Sequence, residues 1–282
     1  MRKSNIFIRR IKDRAFKSLV IILSLLVVLP LFLILFFIFK KGISSINWQF
    51  FISLPKPVGE QGGGIANALV GTFLLVTLAS IFSIPIGIAL GVYLAEFKES
   101  KISYWVRLCV DILQGVPSIV IGIIAYLWVV KQMGHFSALS GAVALAIMML
   151  PVIVKSTEET LKLIPESFKE ASLALGVPYY RTIIKVILPA GLSGIITGIL
   201  LAISRIAGET APLLFTAFGN PFMNWNIDKP VSSLPLLIFN YAISPYEDWH
   251  KLAWGAGFVL VIFVLFLNLV AKGVIRKWKV QF

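Results

Sequence analysis

Charged residues, cysteine and histidine are all scarce in this sequence. Only 14% of its 282 residues are Asp, Glu, Lys or Arg, whereas about 25% is usual for a soluble domain. The single cysteine, Cys109, excludes an internal disulfide bond, and the two histidines lie far apart in sequence, without metal-ligand spacing. We therefore expect no disulfide, no metal site and no resident cofactor.

Two patterns that carry enzyme chemistry are also absent. The sequence contains no G-x-x-x-x-G-K-[ST] loop, which cradles the phosphates of a bound nucleotide. It also shows no nucleophile–base pair. We therefore expect that the chain is not an enzyme. If its activity depends on ATP, the ATPase must be a separate chain.

Long apolar runs dominate the sequence instead, since 58% of the residues are hydrophobic. Most of the runs reach the roughly 20 residues that a helix needs to cross a bilayer. They predict an all-α polytopic membrane protein with six transmembrane helices. The runs cover residues 18–39, 65–95, 104–130, 137–154, 190–218 and 252–271.

The first apolar run follows a basic N-terminal segment, residues 1–17, an order that also occurs in signal peptides. The run is as long as a complete span, and no small-residue cleavage site follows it. We therefore expect residues 18–62 to form an uncleaved first helix followed by an external loop. A transmembrane domain at residues 63–271 and a basic tail at residues 272–282 are expected to follow.

The distribution of positive charge predicts the orientation of the chain. Six helices place both termini on one side, and most of the 26 Lys and Arg residues fall on that side. The positive-inside rule puts it in the cytoplasm of a bacterial cell, so that loops 42–64, 131–136 and 219–250 face the exterior. The last loop is expected to hold short ordered structure at residues 234–242. This placement explains the net charge of +13, and we expect contact with membrane lipid but not with nucleic acid.

A polar segment at residues 155–189, which we call the elbow, separates the fourth and fifth runs. Pro165 and Glu166 suit the first turn of a helix. Gly176 can end that helix in a left-handed conformation. A second helical segment then begins at Tyr179 and is closed by Pro189. The pattern predicts two short helices joined by a sharp turn.

The elbow resembles the cytoplasmic Glu-Ala-Ala loop of the permease subunits of type-1 ABC importers. The residues that carry the resemblance are Glu170, Ala171, Ser172, Gly176, Leu188 and Pro189. Ser172 replaces an alanine of the family pattern, although serine is also small. The resemblance implies that these residues contact a separate ATPase and transmit its movements. The alternative is an ordinary amphipathic helix that lies on the membrane surface.

Arg205 is the most informative charged residue, because it lies inside a predicted span. A central membrane arginine costs about 2.5–3.5 kcal/mol on insertion scales, so it usually has a partner or a water-filled path. Glu209 lies one helical turn away, and Ser204 and Thr210 add hydroxyl groups. Arg205 could simply pair with Glu209, or it could extend to the lipid headgroups. The functional alternative is an anion contact, because a guanidinium binds tetrahedral oxyanions through two donors.

The sequence around Arg205 resembles a narrower family, the A-type permease subunits of bacterial high-affinity phosphate importers. The similar stretches are residues 67–72 (NALVGT), 115–122 (GVPSIVIG), 156–159 (STEE) and 207–217 (AGETAPLLFTA). The resemblance implies one half of a transmembrane path for inorganic phosphate, lined by Arg205 and Glu209. It also implies three partners: a homologous C-type permease chain in a heterodimer, a cytoplasmic ATPase homodimer and an external phosphate-binding protein.

Two other functions remain open at the level of sequence. The elbow does not separate a phosphate permease from a type-1 permease for another oxyanion, such as sulfate or molybdate. An ATP-independent carrier would need ion-coupling groups within its spans, and few candidates exist apart from Arg205, Glu209 and Asp111. Asp111 also lies four residues after Arg107, a spacing at which two charged side chains pair on one helix face.

Overall fold

The computed structural model describes residues 6–60 and 62–277. Parts of the predicted basic terminal segments, residues 1–5 and 278–282, fall outside these residues. Within the described residues the chain is helical, apart from connecting segments and one isolated bridge between Phe218 and Val231. The helices are α1 (Ile6–Gly42), α2 (Trp48–Ile52), α3 (Ala66–Glu96), α4 (Lys101–Gly115), α5 (Ser118–Ala125), α6 (Lys131–Met133), α7 (Ala138–Lys162), α8 (Glu166–Ala174), α9 (Tyr179–Thr182), α10 (Leu188–Ala190), α11 (Leu192–Ile206), α12 (Ala211–Leu214), α13 (Leu234–Ala242) and α14 (Glu247–Lys277).

Four of these helices, α1, α3, α7 and α14, are each long and apolar enough to cross a membrane. Two further spans are bent pairs of helical segments. The first pair joins α4 to Ser118–Met133 with a bend of 107°, and the second joins Tyr179–Ala190 to α11 with a bend of 68°. The described chain therefore has six spans if each bent pair counts as one, which agrees in number with the six apolar runs. The second pair begins at Tyr179, before the fifth run, which starts at residue 190.

The third apolar run does not form one continuous helix. The sequence predicts a single span over residues 104–130, whereas α4 ends at Gly115 and α5 begins at Ser118. Val116 is extended, with φ −70° and ψ 130°, because a following proline disfavours helical backbone at the residue before it. The break divides this span into two halves that point in different directions.

Helix α7 extends beyond the apolar run that predicts it. Its start is fixed by a capping box, in which Ser137 and Ser140 each accept a hydrogen bond from the other's backbone N–H. The helix continues through residues 155–162, which contain no glycine or proline, and ends shortly before Pro165. Residues 155–162, which the sequence assigns to the elbow, are therefore the last two turns of α7.

Helices α3 and α7 form the centre of the fold, with the most extensive packing between any two helices of the described chain. Leu75 of α3 and Leu145 and Met149 of α7 are almost fully buried. The same core cluster includes Ile121 of α5 and Ile206 of α11, so both bent spans pack on the central pair. Because lipid is as apolar as these side chains, close packing rather than exclusion of water holds them together.

Helix α1 has little contact with this core. It leans on α14, where the rings of Phe39 and Phe258 lie 5.6 Å apart. None of its most apolar stretch is buried by the rest of the described chain. A helix that is apolar on all sides and left uncovered suits a lipid environment, where its backbone groups are satisfied internally.

The segment between α12 and α13 is fastened to the central pair of helices. The N–H of Ala138, at the start of α7, donates to the carbonyl oxygen of Lys229 at 2.9 Å. The N–H of Leu234 donates to the hydroxyl oxygen of Thr72 on α3 at 2.8 Å. Helix α13 then covers Leu234–Ala242, which confirms the short ordered structure predicted there.

Gly71 allows α3 to pass directly against this segment. A Cβ atom built at Gly71 would overlap the carbonyl oxygen of Ser232. We expect Gly71→Ala to destabilise the protein by about 1–3 kcal/mol, because overpacking against fixed backbone cannot be relieved by a rotamer change. The measurement is the midpoint of thermal unfolding of the full chain in detergent.

Gly257→Ala in α14 is the matched control, because nothing lies within 4 Å of a Cβ atom built there. This variant should unfold at the same temperature or slightly higher, since alanine is a better helix former than glycine by roughly 1 kcal/mol. Equal midpoints for the two variants would contradict the close approach at Gly71.

Candidate functional site

Arg205 lies at the end of α11, where the fifth span is interrupted. The helix stops at Ile206, and the N–H groups of Gly208 and Glu209 donate to the carbonyl oxygens of the third residue before each, both at 3.2 Å. Gly208 weakens a helix at this point, because glycine is less favourable than alanine in a helix by about 1 kcal/mol. Pro212 is the second residue of α12. The N–H that proline lacks would have no partner within the helix at that position. The Gly-Glu-Thr-Ala-Pro sequence therefore ends one helix and starts the next.

The second half of the third span lies against this interruption. Helix α5, the second half of the third span, packs against α12. Their contact is close, because a Cβ atom built at Gly122 of α5 would lie 2.6 Å from the Cα atom of Pro212. Ser118, the first residue of α5, lies beside the Glu209 carboxylate. Helix α5 of the third span thus lies beside residues 207–210, which connect α11 to α12.

Arg205 and Glu209 form a loose ion pair, with 3.8 Å between Nε and Oε1. The Arg205 side chain is 47% exposed and that of Glu209 is 20% exposed. A guanidinium carries five N–H donors, and no second ion pair of Arg205 occurs within residues 6–60 and 62–277. The pairing predicted from their spacing is present, but it leaves most of the Arg205 donors open to an anion.

The two hydroxyl residues predicted beside Arg205 differ in their surroundings. Ser204 is buried, and its hydroxyl donates to the carbonyl oxygen of Leu200 on its own helix at 2.8 Å. Thr210 is half-buried directly after Glu209, and its side chain makes no capping hydrogen bond to α12. Thr210 is therefore the better placed of the two for a ligand, and a direct role for Ser204 stays a prediction.

Ser118 is the residue that sequence reasoning missed at this site. A signal was available, because Ser118 follows Pro117 inside an apolar run, and a proline marks a position where a helix can break. Its proximity to Glu209, however, depends on how two spans pack, which the sequence pattern does not give. Arg205, Glu209 and Ser118 together offer a cation, an acceptor and a hydroxyl, a set that can bind a small oxyanion carrying a proton. Among the described residues, no group of three or more His, Cys, Asp or Glu could hold a metal ion.

Apolar side chains are exposed on both elements that carry this site. Leu201, one turn before Arg205 on the same side of α11, is 47% exposed. On α5, Ile119 and Ile123 are exposed at positions one turn apart. An arginine exposed among apolar residues is unfavourable towards lipid. This surface therefore needs protein or water opposite to it.

The predicted pair of Arg107 and Asp111 is not formed. Arg107 instead bonds Glu158 of α7, with 2.7 Å between Nε and Oε1. Asp111 pairs with Lys155, which is also on α7, with 2.5 Å between the charged atoms. Tertiary contacts with α7 thus replace the pairing within α4.

The elbow consists of α8 and the segment Tyr179–Ala190, joined at Gly176. Gly176 has φ +77°, which confirms the predicted left-handed end of the helix. The hydroxyl groups of Ser172 and Thr182 lie 2.9 Å apart in the buried angle between the two arms. Ser172 therefore braces the elbow from inside, and serine supplies a hydrogen bond there that alanine would lack.

The outer side of the elbow exposes the remaining residues of the predicted ATPase contact. Glu170 and Ala171 are exposed, and Leu175 is 83% exposed at the tip. Leu188 is half-buried and Pro189 is exposed. The second arm ends at Ala190, one residue after the predicted close at Pro189, and the 68° bend follows there.

Comparison with known proteins identifies the sequence family. The family model described as "Binding-protein-dependent transport system inner membrane component" matches residues 87–277. The "Phosphate transport system permease protein PstA" of Yersinia pestis is 44% identical over 247 residues, covering 87% of this chain and 84% of that protein. The protein of the same name from Xylella fastidiosa (strain 9a5c) is 46% identical over 243 residues, covering 86% and 84%. A probable PstA of Methanocaldococcus jannaschii is 39% identical, covering 92% of each chain.

Solved structures with the same fold belong to ABC transporters. A chain of the inward-facing MetNI methionine ABC transporter has a TM-score of 0.59 and 20% identity, covering 76% of this chain and 94% of that chain. A chain of a bacterial alginate ABC transporter, in complex with its alginate-bound periplasmic protein, has a TM-score of 0.68 and 12% identity, covering 97% and 98%. At such identities these likenesses establish the fold alone, and they confirm the predicted all-α type-1 permease architecture.

The chain is thus a multi-pass membrane permease subunit and not an enzyme. Its relatives work in systems whose ATPase and substrate-binding functions lie in other subunits. The chain belongs to the family of binding-protein-dependent transport system inner-membrane components, and within it to the PstA permease proteins.

Proposed function

We propose that this chain forms half of the transmembrane path of an ATP-driven importer of inorganic phosphate. The observation that carries the proposal is the exposed guanidinium of Arg205 at the break between α11 and α12, held by one long contact to Glu209. The phosphate transport systems in which relatives of 44% and 46% identity act support the choice of substrate.

Arg205, Glu209 and Ser118 suit phosphate better than sulfate. The guanidinium matches two oxygens of any tetrahedral oxyanion. The Glu209 carboxylate can only accept hydrogen bonds when it is ionised, and phosphate keeps a proton near neutral pH, whereas sulfate does not. Glu209 would therefore accept a hydrogen bond from the protonated oxygen of phosphate, but it would repel sulfate, which has no proton to donate. This acceptor argues against the alternative of a sulfate permease.

A second permease chain completes the path in this proposal. Arg205 and its apolar neighbours on α11 and α5 form a surface that this chain leaves open. A homologous C-type permease chain would cover the apolar residues and leave a polar passage beside Arg205. The path would then lie between two chains, as expected for spans with irregular backbone that line a cavity.

The elbow is the contact for a cytoplasmic ATPase homodimer in this proposal. Its tip exposes Glu170, Ala171 and Leu175, while the Ser172–Thr182 hydrogen bond keeps the two arms at a fixed angle. Because lysine and arginine concentrate on the elbow side, we orient that side and both termini towards the cytoplasm. An external phosphate-binding protein would then meet the opposite end, near the segment between α12 and α13.

Substitution of Arg205 tests the substrate contact. We expect Arg205→Lys to lower phosphate uptake about tenfold or more, because losing a hydrogen bond to a charged group costs roughly 1.5–3 kcal/mol. Arg205→Ala should abolish uptake. The measurement is uptake of radiolabelled phosphate by the complex reconstituted in vesicles. Arg14→Lys in the exposed part of α1 is the control and should transport normally. Full activity of Arg205→Lys would show that charge alone is sufficient.

Substitution of Glu209 tests the discrimination between phosphate and sulfate. Glu209→Gln introduces an N–H donor where the carboxylate only accepts. Phosphate uptake should fall about tenfold, in line with roughly 1.5–3 kcal/mol for a hydrogen bond to a charged group, and added sulfate should begin to compete. The measurement is competition by sulfate in the uptake assay. Glu60→Gln, in an exposed loop, is the control. If sulfate competes equally with both variants, Glu209 does not select the substrate.

Substitution of Gly176 tests the elbow. Gly176→Pro should abolish ATP-driven uptake while the complex remains in the membrane, because proline cannot adopt φ +77° and lacks the N–H that donates to Leu173. Gly134 is a matched control, with the same φ of +77° and a similar bond from its N–H to Val130. Gly134→Pro should leave the ratio of phosphate imported to ATP hydrolysed unchanged. Normal uptake by Gly176→Pro would refute the docking role.

A further inference from the structure

Glu96 links the end of α3 to both arms of the elbow. It is the last residue of α3, and only 10% of its side chain is exposed. The Lys169 ammonium group, on α8, bonds to Oε2 of this carboxylate. The hydroxyl of Tyr179, at the start of α9, donates to the same oxygen. One largely buried carboxylate therefore holds two residues that lie on opposite sides of the Gly176 turn.

The two elbow residues also contact each other. The ammonium nitrogen of Lys169 lies 3.1 Å from the Tyr179 hydroxyl and 4.8 Å from the centre of its ring. Burial alone would lower the pKa of Lys169, but the hydrogen bonds to Glu96 and Tyr179 outweigh it and raise this pKa. Lys169 therefore keeps its proton at neutral pH and faces the Glu96 carboxylate as a cation.

Few other polar contacts cross the gap between the elbow and the end of α3. A cavity of about 670 Å³ lies beside Glu96, between the α3–α4 turn and the start of α8. Across it, Lys98 pairs with Glu166 at 3.4 Å, but both side chains are largely exposed, at 51% and 79%. Exposed pairs contribute little, about 0–1 kcal/mol. The buried Glu96 contact is therefore the firm polar connection on this side of the elbow.

Helix α3 is suited to carry a displacement across the protein. Its 31 residues span about 46 Å at roughly 1.5 Å per residue. At the far end, Gly71 and Thr72 contact the segment between α12 and α13. Along its length it packs on α7, the other central helix.

We propose that Glu96 is a positioning residue for coupling, which transmits displacement of the elbow to α3 through Lys169 and Tyr179. The inference rests on the proposed function, since it assumes that an ATPase moves the elbow. A paired and hydrogen-bonded carboxylate resists separation from its partners, because leaving it buried and unpaired is strongly unfavourable. When the elbow moves, α3 must therefore follow it.

The test compares Glu96→Gln with Glu166→Gln in the complex reconstituted with its ATPase. Each substitution removes one negative charge from one side of the same gap, but the Glu96 side chain is 10% exposed and that of Glu166 is 79% exposed. The readout is phosphate imported per ATP hydrolysed. Glu96→Gln should lower this ratio about fivefold or more, because a factor of about five is the lower end of the typical energetic coupling between distant sites. Glu166→Gln should leave it unchanged, and equal ratios for the two variants would overturn the proposal.

Rescue by charge exchange separates transmission from simple damage to the fold. Glu96→Lys and Lys169→Glu should each uncouple, and the double variant should recover a substantial part of the ratio. Tyr179→Phe, which removes one hydrogen bond, should give a smaller loss than Glu96→Gln. A double variant no better than either single one would overturn the proposal. So would loss of the ATPase from purified Glu96→Gln, since the defect would then lie in docking.

The two proposals can fail separately in this experiment. If the wild-type complex hydrolyses ATP but imports no phosphate, the assigned substrate is wrong, whatever Glu96 does. If the wild type imports phosphate and Glu96→Gln retains its full ratio, the substrate assignment stands and the role of Glu96 is refuted.

Discussion

Backbone hydrogen bonding inside a bilayer is the constraint on which the rest of this structure depends. No water is available there, so a helix can break only where protein or a polar cavity covers its free groups. The two breaks, before Ser118 and after Ile206, lie against each other, with Gly122 touching Pro212. Helices α5 and α12, which follow the two breaks, thus pack on each other. The same breaks bring Arg205, Glu209 and Ser118 to one place, so the irregular backbone and the polar site have a common origin.

The central helices connect this site to both ends of the molecule. Helix α3 begins beside the segment between α12 and α13 and ends at Glu96, next to the elbow. Helix α7 packs along it and also receives Arg107 and Asp111 of α4 through Glu158 and Lys155. Closely packed helices in a membrane interior shift as units and do not deform gradually. A displacement at one end of such a pair is therefore carried as a rigid shift instead of being lost locally.

Much of the fold was predictable because its signals are local. Apolar runs of sufficient length gave the spans, and Gly176 gave the left-handed turn of the elbow, since few other residues accept a positive φ. The spacing of Arg205 and Glu209 gave an ion pair, though a looser one than the spacing suggests. The 107° bend at Val116 and Pro117 was not predicted. A proline marks where a helix can break, but Pro30, Pro85 and Pro151 lie inside continuous helices of this chain.

The sequence by itself determined the class of the protein, the number of its spans, the elbow and the candidate residues at the break in the fifth span. These follow from hydrophobicity, from backbone preferences and from residue spacing, which act over a few neighbouring positions. Only the tertiary structure decided which partners the charged side chains take. It paired Arg107 with Glu158 instead of Asp111, brought Ser118 to Glu209, and turned Ser172 inwards. A charged group binds whichever partner packing brings nearest, and that distance is set by helices far apart in sequence.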